Sequence, residues 1–202
     1  MTAQGSGRPS GRDRVLSDLV AHVRKHGLPA DPSLRYYADR LNTSHRMLAY
    51  YFGSREQMLA TVLAAMRADE REALWSMART WSLRDAALAM WSYYTDTDRS
   101  KEHQAFFYVF SRALEQPEAF ADFLRSLDTW VAMTAGLAMA EGDDRSTAQQ
   151  RAQLIVGTVR GLLINRLASS SPDIVDAAFT AFVDSMSASP RRVAGSRVRS
   201  RP

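Results

Sequence analysis

The sequence predicts an all-α protein of about nine helices, because apolar residues recur at spacings of three and four along almost the whole chain. No stretch shows the strict alternation bounded by hairpin turns that marks a β-strand. Glycines, prolines and short polar runs interrupt the pattern at 27–32, 42–44, 53, 96–100, 117, 141–144 and 169–172. Apolar residues make up 46% of the chain, enough to expect a packed core rather than disorder.

The first helix is expected over 13–26, with Val15, Leu16, Leu19, Val20 and Val23 on one face and Gly27 as its stop. A stiff link with Pro29 and Pro32 follows. Either Asp31 or Ser33 can cap a short second helix ending near Leu41, with Leu34, Tyr37, Ala38 and Leu41 turned inward. Asn42 suits the tight exit. Thr43 or Ser44 then caps a third helix anchored by Leu48 and Phe52. Gly53 breaks it, and the pair Ser54 and Gln57 forms a capping box that opens a long fourth helix over 54–80. Its apolar set is Met58, Leu59, Val62, Leu63, Met66, Ala73, Leu74 and Met77. Further helices are expected over 83–95, 101–116, 118–140, 145–169 and 173–187.

Two short helices joined by a tight turn, after a longer one, describe a helix-turn-helix unit. Its third helix is about the size the DNA major groove admits. The outward positions there are His45, Arg46, Met47, Ala49 and Tyr50, and Arg46 can give guanine two hydrogen bonds. Arg35 and Arg55 flank the helix and suit phosphates, as do the helix starts near Ser33 and Ser44. Charge agrees with this placement. Residues 1–68 hold ten basic and five acidic side chains, 69–189 hold eleven and seventeen, and 190–202 hold five arginines and no acid. A polyanion is drawn to the first third and the tail, not to the middle.

The segment Tyr36-Tyr37-Ala38-Asp39-Arg40-Leu41, then Leu48, and above all Tyr50-Tyr51-Phe52-Gly53-Ser54-Arg55-Glu56-Gln57-Met58-Leu59, resembles the tetracycline-repressor (TetR) family. The hallmark is an inner-helix alanine, a recognition helix ending in aromatics, and a Phe-Gly-Ser-basic-Glu turn opening the fourth helix. The resemblance covers roughly the first sixty residues closely and the remainder only by helix number and length. It implies a DNA-binding domain over 13–53, running into the first turns of the fourth helix, and a ligand-binding and dimerisation domain over 54–189. A disordered arm over 1–12 and a disordered basic tail over 190–202 flank them in this reading.

Carried over by position, Ser33 and Arg35 would contact DNA from the second helix. Ser44, His45, Arg46 and Met47 would present to bases, Tyr50 and Tyr51 would lie near phosphates, and Arg55 would meet the backbone. The sequence departs from the family pattern at Ala49, where a tyrosine is usual, and at Met47, where a small hydroxyl residue is common. Met47 there favours an apolar partner such as a thymine methyl. Pro29 and Pro32 also depart from the usual loop. These differences bear on which duplex sequence is read.

Aromatics crowd the second region: Trp75, Trp81, Trp91, Tyr93, Tyr94, Phe106, Phe107, Tyr108, Phe110, Phe120, Phe123 and Trp130. Mixed with His103, Arg112 and Asn165, they suit the lining of a ligand cavity. Trp91, Tyr94, His103, Phe107, Phe110, Trp130, Met133 and Asn165 are the expected contacts of a mostly apolar small-molecule effector. The last two helices are apolar over much of their circumference, and Gly157 and Gly161 permit close approach. Leu154, Gly157, Gly161, Ile164, Ile174, Phe179 and Phe182 are the expected homodimer interface, which would set two recognition helices on a palindromic operator in double-stranded DNA.

The function expected is a repressor released from its operator by the effector. The alternative is a ligand-independent dimeric DNA-binding protein whose helical domain serves only dimerisation. An enzyme finds no support: there is no cysteine, no glycine-rich phosphate loop and no metal-ligand spacing, and no cofactor is expected. His22 and His26 lie one turn apart but beside Arg24 and Lys25, a poor setting for a cation. Residues 1–14 lack the apolar stretch of a signal peptide, and no apolar run reaches membrane-spanning length. With cysteine absent, a cytoplasmic protein without a membrane partner is expected.

Overall fold

The computed structural model describes residues 10–78 and 81–187. Among them lie nine α-helices and no strand: α1 Gly11–His26, α2 Leu34–Arg40, α3 His45–Phe52, α4 Arg55–Ala78, α5 Leu83–Thr95, α6 Ser100–Glu115, α7 Ala121–Ala140, α8 Arg145–Ala168 and α9 Pro172–Ser187. A 3-10 turn, Thr97–Arg99, leads into α6. The architecture is all-α, as the periodicity predicts. The expectations for Ala73, Leu74, Trp75 and Met77, and for the tail over 190–202, fall outside the described side chains.

Caps fix the helix starts. α1 begins earlier than expected because Ser10 and Asp13 form a reciprocal box: Asp13 N–H donates to Ser10 Oγ at 3.2 Å and Ser10 N–H to Asp13 Oδ2 at 3.3 Å. The first of the open choices falls to Ser33, whose Oγ accepts from Tyr36 N–H at 3.2 Å. The second falls to Ser44, which accepts from Met47 N–H at 3.1 Å. Between the two short helices Asn42 takes φ 49°, and Thr43 N–H closes back on Ala38 O at 3.2 Å. That closure satisfies a terminal carbonyl and turns the chain within a few residues.

Gly53 ends α3 at φ 75°, where a side chain is strained, and a Cβ there would also collide with the Gln57 side chain. That glutamine is engaged: its Oε1 accepts from Ser54 N–H at 2.9 Å while Ser54 Oγ accepts from Gln57 N–H at 3.2 Å. α7 starts later than expected. Residues 117–120 form a turn, with Phe120 N–H on Pro117 O at 3.3 Å, and bury Phe120 before the helix begins.

The helices enclose two cores. The first joins Leu19, Val20 and Val23 of α1, Tyr37, Leu48 and Phe52, the apolar face of α4, and Ala105, Phe106 and Val109 of α6. Phe120, Phe123 and Leu127 close it. The helix-turn-helix unit therefore shares its core with α6 and α7 instead of packing alone. The second core lies among α5, the later part of α7, α8 and α9, and Phe107 touches both. Its clasp is Trp91 on α5, stacked on Phe179 of α9 with centroids 4.5 Å apart. Trp91 Nε1–H donates to Asp176 Oδ1 at 3.1 Å, and Arg166 Nε–H reaches the same oxygen at 2.9 Å.

Tyr37 is fully buried, yet its hydroxyl finds no hydrogen-bond partner among the described residues, and burial drives its pKa well above that of a free phenol. An unpartnered buried hydroxyl costs about 1–3 kcal/mol. Tyr37→Phe is thus expected to raise stability by about 1 kcal/mol in chemical denaturation. A loss of that size would show that the hydroxyl has a partner.

Candidate nucleic-acid interface and buried cavity

α3 turns Leu48 and Phe52 into the first core and leaves His45, Arg46, Met47 and Tyr50 facing outward, Tyr50 at 80% exposure. Ala49 is half-buried. Ser44 is exposed at the helix start, its Oγ occupied as a cap acceptor but its O–H free to donate. Ser33 is half-buried in the same role on α2, and Arg35 is exposed beside it.

The nearby arginines divide into two kinds. Arg55 is committed: its Nε and Nη2 donate to Glu56 Oε1 at 2.9 and 2.7 Å, and its Nη1 lies 3.4 Å from Asp31 Oδ1. The hydrogen bond to Glu56 holds its pKa above the ordinary arginine value. In the free protein Arg55 thus pairs with two carboxylates and braces the α3–α4 turn against the α1–α2 link. Arg40 lies over the Tyr36 ring at 3.7 Å, and Arg12 donates from Nε to Tyr51 O at 3.3 Å. Arg35 and Arg46 have no carboxylate within 4 Å among the described residues. Tyr51, expected near phosphates, is half-buried, and a Cβ on Gly11 would stand 2.7 Å from its Oη.

α1 is tied to the helices behind it. Lys101 Nζ at the start of α6 donates to Lys25 O at 2.9 Å, on the carbonyl end of α1. Arg24 pairs with Asp69 of α4 at 2.9 Å and approaches Glu102 of α6 to 3.8 Å.

A cavity of about 50 Å³ lies among α4, α5, α6, α7 and α8. Of the expected lining, Tyr94, His103, Phe107 and Trp130 are there. Four others are not. Trp91 is rotated one position from the Met90–Tyr93–Tyr94 face and belongs to the clasp with Phe179. Phe110 sits a turn beyond the cavity, stacked on Phe106 in the first core. Met133 borders a separate small cleft with Trp81 and Met90. Asn165, two positions past Leu163, is on the exposed side of α8.

Charged groups that periodicity alone passed over complete the wall: Arg67 and Glu70 of α4, Glu102 of α6 and Arg160 of α8. The signal was present, because Leu63, Met66, Arg67 and Glu70 share one helical face, as do Val156, Val159, Arg160 and Leu163. Arg67 and Glu70 are buried, with Nη1 and Oε2 4.0 Å apart, and the Arg67 guanidinium lies 5.0 Å from the Phe106 ring centroid. Burial raises the Glu70 pKa against the pull of Arg67. Burial, then the Arg67 charge, lowers that of Arg160. Burial, aided by Arg99, brings His103 down to about 4, so its ring is neutral near pH 7.

The expected homodimer face divides similarly. Leu154, Ile164 and Ile174 are 58%, 49% and 71% exposed, and nothing among the described residues lies within 4 Å of a Cβ built on Gly157 or Gly161. Phe182 is half-buried. Phe179 departs from the expectation, being fully buried against Trp91 within the protomer.

No protein-family model matches the sequence, and no curated protein does. Solved structures do. A transcriptional regulator from Rhodococcus sp. Rha1 superposes with TM-score 0.70 at 21% identity, covering 87% of this chain and 95% of that one. A TetR transcriptional regulator from Legionella pneumophila gives 0.67 at 16%, covering 89% and 98%. The fatty acid degradation regulator FadR from Bacillus halodurans gives 0.52 at 11%, covering 89% and 99%. The protein has the fold of the TetR-type transcriptional regulators. Among the described residues no helix is long and apolar enough to cross a membrane.

Proposed function

We propose that the protein is a sequence-specific DNA-binding regulator, acting as a homodimer on a palindromic operator and released from it by a small molecule held in the α4–α8 cavity. The observation that carries the reading is the outward face of α3. Arg46 stands there uncommitted beside His45, Met47 and Tyr50, with Arg35 alongside. The three similar folds named above belong to regulators and favour the same class. Ser33, Ser44 and Tyr50 supply polar contacts around Arg46 in this reading, while Tyr51 and Arg55 act by holding α3 in place.

Release follows from what the cavity helices also hold. α4 carries Arg67 and Glu70 on the cavity and begins one turn after α3. α6 carries His103 and grips the end of α1 through Lys101. A ligand that binds one arrangement of these helices better than another shifts the spacing of two paired recognition helices. The buried charges favour this over a helical domain serving dimerisation alone.

Selection of bound sequences from random duplex DNA tests the reading, with an inverted repeat as the expected product. Arg46→Ala should then relax preference at one position per half-site at a cost of about 1–3 kcal/mol, read by gel shift at fixed salt. Equal weakening on every sequence would assign Arg46 to phosphate instead. No binding to any duplex at low ionic strength would end the reading.

A further inference from the structure

We propose that the cavity takes a monoanion, a carboxylate on a compact apolar body, with its acid group between Arg67 and Arg160. The inference rests on the effector reading above and names the chemistry of that ligand. Three polar atoms on its wall have no hydrogen-bond partner: Arg67 Nε, Glu70 Oε1 and His103 Nδ1. All three residues are more than nine-tenths buried. Buried polar groups in folded proteins are nearly always paired, so three orphans around one void mark a place built for polar atoms from outside the chain.

Charge selects the sign. Arg160 is held only by Leu127 O at 3.4 Å and has no carboxylate within 4 Å among the described residues. Arg67 and Glu70 stand at 4.0 Å, well short of the 2.7–2.9 Å of a charge-assisted bond. The other wall carboxylate, Glu102, faces outward pairs with Arg24 and Arg99 at 3.8 and 3.7 Å. Two guanidiniums thus face one acid, Glu70, which takes its hydrogen bond from the Tyr94 hydroxyl and not from an arginine, and a single added anion balances the wall. A cation would meet two like charges in a medium that screens them poorly. A neutral ligand would leave Arg160 as it is.

The remaining wall is apolar, with Leu63, Met66, Phe107, Trp130 and Val159 to cover a hydrocarbon or ring. At about 50 Å³ the space is far below that of ordinary ligand sites, roughly 300–1,000 Å³, so the body is compact and side chains shift to admit it.

The full-length protein is titrated with two matched series, benzoate, benzamide and benzylamine, and octanoate, octanamide and octylamine, by calorimetry and tryptophan fluorescence. In at least one series the acid should bind about 10- to 100-fold tighter than its amide, with the amine weakest. Arg160→Gln should bring acid and amide together, whereas Arg160→Lys keeps part of the preference; melting curves verify that both variants fold. Amide binding as tightly as acid, binding by no acid, or a preference that survives Arg160→Gln in a folded protein overturns the proposal. Amides that bind and free the operator would sink the anion while leaving effector release intact. Acids that bind with the expected preference yet never alter duplex affinity would sink release and leave the ligand class standing.

Discussion

Ile164→Arg is expected to turn the proposed homodimer into a monomer and, with it, to abolish the proposed tight operator binding. Leu154, Gly157, Gly161 and Ile164 follow one another at spacings of three and four, so they form a single stripe along α8. Nothing among the described residues covers that stripe. An arginine buried there against a second copy lacks a counter-charge, which costs about 3–5 kcal/mol and raises the dimer dissociation constant by roughly 100-fold or more. Loss of the second reading head removes an avidity gain of about 10²–10⁴. Sedimentation velocity and gel shift measure the two effects separately. A variant that stays dimeric would move the interface elsewhere, and a monomeric variant with undiminished operator affinity would show that two-site binding is not needed.

Phe179→Ala should be the most damaging single truncation to stability, costing about 3–5 kcal/mol. The ring is fully buried and stacked on Trp91, and its removal leaves a hole on the face that fastens α9 to α5. The indole N–H and the Asp176–Arg166 pair are anchored beside it, so their geometry is disturbed as well. Urea denaturation gives the loss, and Trp91 emission should shift as its neighbour disappears. A change below about 1 kcal/mol would mean that α9 contributes little to the fold.

The first half of the chain was legible because its signals are local. Ser33, Ser44 and Ser54 each start a helix through a bond spanning three residues, and Gly27 and Gly53 end helices by backbone sterics alone, whereas Ser10, which starts α1 in the same way, was passed over. Faces were legible too, since Leu48, Phe52 and the α4 apolar row lie inward as their period dictates. What each face meets was not. Trp91 and Phe179 were assigned to a ligand and a partner chain because both are large and apolar, yet they satisfy each other across 88 positions of sequence. Arg67, Glu70 and Arg160 interrupt apolar rows and were passed over, yet the fold brings all three to one cavity, with Arg67 and Glu70 buried and Arg160 half-buried. Arg55 suited a phosphate by position, but Asp31, brought near by the fold, takes part of its charge. Pairings between distant helices are decided by tertiary geometry, to which a one-dimensional period is blind.

The interior that Val20, Tyr37 and Leu48 share with Phe106 and Phe123 has a thermodynamic corollary. A fragment ending at the α3–α4 turn would be stripped of α4, α6 and α7, and would hold too little apolar surface to fold by itself. The α1–α3 end and the end that houses the cavity should therefore lose structure together, in one cooperative step under heat or denaturant.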